Sequence, residues 1–181
     1  MGILLTVAEI YIPKFIRKKK VIRLFAVTAE AFETPMPSVD GLNVEECLRE
    51  YAQFTKERAE EAIRSGREAE VKHRLHRYAF HMGTGLREEF GVRNIKETMR
   101  LARLVYDMVG IDFSGDKSGS VTIKRCYFSR YYPPEVCAVI ASLDAGLLAG
   151  ISGGGRLNFS HRLTEGNDCC QARLSLVVKT K

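Results

Sequence analysis

Cys137 and Asp144 are the residues whose types and spacing could most readily do chemistry together. They stand seven positions apart in PPEVCAVIASLDAG, and the paired prolines suit the start of a helix. Helical geometry puts both on one face, about 10 Å apart along the axis. They could line one pocket without touching. Cys137 falls in about the first turn, where unpaired backbone N–H groups and the helix dipole favour negative charge. Both effects should lower the thiol pKa and favour the nucleophilic thiolate. The plainer alternative is a small buried hydrophobe with a solvated acid.

His161 takes an inward slot in the alternating run RLNFSHRLTEG, between Phe159 and Leu163. It reads either as a satisfied core histidine or as a general acid or base beside a pocket. His73 and His76 could chelate a metal from one helix face, but Lys72, Arg74 and Arg77 around them would repel a cation. A solvated basic face is the better reading there. Gly153-Gly154-Gly155-Arg156 precedes no helix, so it is a turn rather than a phosphate cradle. No G-x-S-x-G elbow and no H-E-x-x-H motif occurs.

Helices should position these groups from the amino-terminal side. Pro13 suits a first helical turn, and Phe15, Ile16, Ile22, Phe25, Ala26, Ala29 and Phe32 recur at helical spacing up to about Thr34. Asn43 with Glu46 makes a capping box for a helix running to about Ser65-Gly66, with Cys47 on its buried stripe. A third helix carries Val71, Leu75, Tyr78, Met82 and Leu86. Gly83-Thr84-Gly85 should kink it or end it early, and Gly91 is its C-cap. Asn94 with Glu97 opens a fourth, with Ile95, Met99, Ala102, Tyr106 and Val109 on its stripe.

The pattern then changes. IDFSGDKSGS reads as a turn region and SVTIKRCYFS as a strand. The Cys137 helix follows, then RLNFSHRLTEG, and then a last strand with Cys170, Ala172, Leu174, Leu176 and Val178 facing inward. The expected fold is α+β: an N-terminal helical bundle (1–110) packed on a small C-terminal antiparallel sheet with one further helix (111–181), in a single domain.

Composition bounds the function. The 181 residues include five cysteines, an odd count without a C-x-x-C pair, which argues against a disulfide framework or a zinc ribbon and for a cytoplasmic protein. The apolar start MGILLTVAEIYI is too short to span a bilayer, and Glu9 interrupts it, so no signal peptide or transmembrane segment is expected. Met1-Gly2 with Thr6 fits only a permissive myristoylation pattern. The net charge of +6 gathers at Arg17, Lys18, Lys19, Lys20 and Arg23. No aromatic ladder or recognition-helix spacing accompanies that run, so nucleic acid is not an expected partner. Affinity of this run for an anionic surface is a further reading, and a homodimer is allowed.

The C-terminal third carries three features in order: RCYFSRYY, then PPEVCAVIASLDAG, then RLTEGNDCCQARL. Over about residues 118–176 this resembles the L-2-amino-thiazoline-4-carboxylic acid hydrolase family. The family positions fall here on Cys126, Cys137, Asp144, Gly166, Asn167 and Cys170, with Arg162 at a basic position before the turn. Asn167 stands where the family has an acid, and Asp168 follows it. The resemblance implies hydrolysis of a carbon–nitrogen bond in a small cyclic amidine carboxylate without a cofactor. Cys137 would be the nucleophile, Asp144 or His161 would manage protons, and Arg162 would hold the carboxylate. Cys126, Asn167 and Cys170 would complete the substrate site. The arrangement also looks like the vinyl-4-reductase-type domain, a non-catalytic ligand-binding or sensor module. In that case Cys126, Cys137, Cys170 and His161 would make a tetrahedral set for zinc or iron.

Overall fold

The computed structural model describes residues 13–176. Among the described residues four helices come first, as the periodicity predicts: α1 (Lys14–Ala31), α2 (Val44–Arg64), α3 (Glu68–Phe90) and α4 (Ile95–Met108). The sheet strands are β1 (Ile111–Gly115), β2 (Ser120–Cys126), β3 (Arg156–His161) and β4 (Cys170–Ser175), with α5 (Pro134–Ser152) between β2 and β3. All pairings are antiparallel and the strand order is β1-β2-β4-β3. The fold is α+β, with most helices first and the sheet C-terminal.

Local signals set the helix ends. Asn43 Oδ1 accepts the N–H groups of Glu45 and Glu46, and Glu46 Oε2 accepts the N–H of Asn43 at 2.7 Å, which completes the capping box. Asn94 Oδ1 accepts the N–H of Glu97 at 3.0 Å. Gly91 closes α3 at φ +63°, in the left-handed region that glycine tolerates best.

Several expectations are corrected. The helix α3 runs unbroken through Gly83-Thr84-Gly85. Gly83 is there for contact, because a Cβ on it would overlap the Leu147 carbonyl of α5. Phe15, Ile16 and Ala26 are exposed, and the buried residues of α1 are Val21, Phe25, Thr28, Ala29 and Ala31, with Phe32 at its C-terminal cap. Arg74 is buried rather than solvated, since its Nε donates to the Ala31 carbonyl at the end of α1 and its guanidinium pairs with Glu33 and Glu70. Ile111–Gly115, read as turn, is a strand, and Ile111 and Phe113 point into the core. β2 stops at Cys126 and passes into a 3₁₀ turn, Tyr127–Arg130, instead of continuing to Ser129. Leu176 is exposed, while Val178 and the apolar first twelve residues lie outside the described part.

The centre of the protein is α5. It is apolar on nearly every side and would pass for a membrane span by length and composition, but more than half of it is buried inside the protein. An all-round apolar helix is what a core position demands. It packs against α3 on one side and meets β3, α4 and α2 on others. Asp144 sits in its middle, the one ionisable side chain between Glu135 and the end of the helix apart from Cys137.

Candidate active site: a cavity around Asp144

A cavity of about 230 Å³ lies beside α5, with walls from α1 through α5, the 3₁₀ turns Tyr127–Arg130 and Leu163–Glu165, and the sheet. Val21, Leu24, Met82, Leu86, Ile140 and Leu147 are among its apolar walls. Its outer end is rimmed by Lys20, Arg23 and Glu89, and Lys20 pairs with Glu89 at 3.8 Å. The polar groups are Asp144, Cys126, Cys137, Cys170, Tyr51, Tyr106, Tyr132, Ser129 and Thr164. Four residues singled out from the sequence therefore meet here: Cys126, Cys137, Asp144 and Cys170.

Two irregularities of the sheet decide which side chains face the cavity. In β2, Val121 and Ile123 point inward, so strict alternation would place Arg125 inside and Cys126 outside. A bulge shifts the pairing with β1 from Asp112↔Arg125 to Phe113↔Ile123, and the extra residue returns Cys126 to the inner face. In β3 the same device acts in the other direction. Phe159 pairs with Ala172 but His161 pairs with Gln171, so Ser160 is the extra residue. His161 consequently shares the outer face with Gln171, is exposed, and touches Ser160 Oγ at 3.1 Å. Its inward slot, and any proton-transfer role that needed it, are overturned.

Asp144 lies deep in the protein yet keeps an accessible face, which is how a group lining an interior hollow behaves. The Tyr106 hydroxyl donates to its Oδ1 at 2.7 Å. That is its only hydrogen bond among the described residues, and no cation contacts it. Burial pushes its carboxyl up to about 6, against the opposing pull of Tyr106 and of the more distant Arg162. Tyr106 is itself held by ring stacking on Phe113, centroids 4.8 Å apart. Its phenol is pushed well up, first by burial and then by the Asp144 charge.

The thiols are not primed. Cys137 lies just beyond the free donors of the helix start, since its own N–H already bonds to Pro133 O at 3.0 Å. Burial raises its pKa, offset in part by the neighbouring Thr164 hydroxyl, while the Asp144 charge adds to the rise. The expected lowering is overturned because desolvation outweighs the helix dipole. Cys126 is pushed up to about 12, chiefly by burial. Cys170 is also raised by burial, and its sulfur accepts the Leu163 N–H at 3.4 Å.

Arg162 and Asn167 do not line the cavity. The guanidinium of Arg162 pairs with Glu165 at 3.0 Å and lies over the Phe159 ring, 5.0 Å from its centroid. Asn167 donates to the Arg162 carbonyl at 3.0 Å, so it braces the turn rather than meeting a substrate. No family model and no curated protein matches the chain.

Among the described residues no three His, Cys, Asp or Glu side chains converge at metal-ligand spacing. The set Cys126, Cys137, Cys170 and His161 is therefore not assembled, and the outward turn of His161 is one cause. Tyr51, Tyr106, Tyr132 and Thr164 were missed by sequence reasoning. A signal existed for Tyr106 and for Tyr51, which follows Val44, Cys47 and Leu48 on the stripe of α2: a phenol on an apolar helix stripe needs a partner for its hydroxyl. The other two carry none that separates them from ordinary core or turn residues.

Proposed function

We propose that this chain is a small-molecule-binding domain that encloses a compact, mostly apolar ligand in the cavity beside α5. The observation that carries this reading is an interior hollow with apolar walls and one buried carboxyl at its polar end. Ligand sites are built in this way, from apolar walls and a few placed polar groups. A volume of about 230 Å³ has room for a single ring or a short chain. Protonated thiols and a carboxyl with one partner suit holding a molecule better than attacking it. This favours the sensor-type reading over the hydrolase, without the metal.

Octanol is a fitting probe. It should bind the protein measurably in calorimetry, and Ala141→Leu should weaken binding by about tenfold or more while the protein stays folded. Ala141 lines the cavity from α5, so the added carbons occupy ligand space. Octanol binding that is absent, or indifferent to Ala141→Leu, would sink the reading.

One observation favours the hydrolase as a second reading: Cys137 and Asp144 share the cavity, and a carboxyl near 6 can exchange protons at neutral pH. A thiol raised by burial would have to lose its proton before attacking an amidine carbon. Hydrolysis of 2-amino-thiazoline-4-carboxylate should then be present in the wild type and lost in Cys137→Ala. Turnover that survives this substitution removes the thiol from the chemistry.

A further inference from the structure

We infer that the ligand carries a protonated amine, seated on the Asp144 carboxylate with its apolar body along α1 and α3. This rests on the small-molecule-binding reading and adds the chemical class of the ligand.

Among the described residues, the cavity groups around Asp144 are neutral or acidic. Facing Asp144 are Tyr106 from α4, Tyr51 from α2, Cys126 from β2, Cys137 on the same helix and Cys170 from β4. Arg162, beyond β3, is the cation whose charge reaches it; its Nη1 pairs with Glu165 at 3.0 Å, and its buried Nε has no partner among the described residues. Lys20 and Arg23 lie at the far rim, where Lys20 meets Glu89. A carboxylate buried among such neighbours lacks the partner that would repay its desolvation. An ammonium group supplies that partner and the hydrogen-bond donors for the oxygen that Tyr106 leaves open. A ligand carboxylate would instead face a like charge or an un-ionised acid.

The proton balance follows. When Asp144 is protonated, an arriving ammonium ion displaces that proton to solvent and leaves a carboxylate–ammonium pair. When Asp144 is already ionised, no proton moves. Binding should therefore release protons increasingly as pH falls below about 6.

Calorimetry with octylamine, octanol and octanoate tests the inference on the intact protein. Near pH 7 octylamine should bind at least about tenfold more tightly than octanol, and octanoate more weakly than either. Asp144→Asn should remove the advantage of the amine over octanol. Repeating the octylamine titration in buffers of different ionisation enthalpy near pH 5 should reveal the released proton. Octanol that binds while octylamine gains nothing would overturn the amine and leave the cavity reading intact. If none of the three binds, the cavity reading itself falls.

Discussion

Gly146→Val should cost about 3 kcal/mol or more of unfolding free energy, read as a lower urea midpoint with an unchanged slope. Gly146 lies on α5, and a Cβ there would overlap the His76 carbonyl of α3. Gly150, one turn later, would meet the Phe80 carbonyl in the same way, and Gly83 answers from α3 by abutting Leu147. The obstructing atoms are backbone, so no side chain can swing aside. Three glycines thus let two helix backbones approach closely, and α3 supplies the cavity wall through Met82 and Leu86. Gly85 is the internal control. It lies in α3, and a Cβ there would meet nothing within 4 Å. Gly85→Ala should stabilise by up to about 1 kcal/mol, because it only removes unfolded-state freedom. Equal effects at Gly146 and Gly85 would mean that the close approach of the helices does not matter.

That contrast marks what the sequence could convey. Helix order, both asparagine caps and the Gly91 stop were legible, because each is a local rule acting within a few residues. The role of Gly83 was not, since a glycine that breaks a helix and one that admits a neighbour look alike in one dimension. The faces of Cys126 and His161 were not legible for a related reason. Each depends on a one-residue bulge, and a bulge inverts every inside–outside assignment beyond it. The Cys137 thiol shows a third limit. Its place near a helix start was read correctly, but the sign of its pKa shift depends on how much protein surrounds it. The pairing of Cys137 with Asp144 on one cavity survived, because seven residues along a helix fixes a face whatever packs around it.

Asp144→Asn should make the protein more stable than the wild type at neutral and alkaline pH, and no more stable below about pH 4. The carboxyl titrates near 3.8 when unfolded and near 6 when folded. Below the first value both states hold the proton, so ionisation costs the fold nothing. Between the two values the unfolded chain releases its proton while the folded one keeps it, and stability is lost progressively. Above about 6 the loss is complete and constant. The full displacement corresponds to roughly 3 kcal/mol, and the accessible face of the carboxyl in the cavity reduces this to about 2 kcal/mol. Asparagine cannot ionise, yet it keeps the size and an oxygen for Tyr106. Urea unfolding across pH 4 to 8 should show the difference rising and then levelling. A variant less stable than the wild type at pH 7 would mean that Arg162 holds the ionised carboxylate more firmly than its engagement with Glu165 allows, and the case for an unmet charge would go with it. A gain would identify Asp144 as a residue the fold carries at a cost, and such residues are characteristic of binding and catalytic sites.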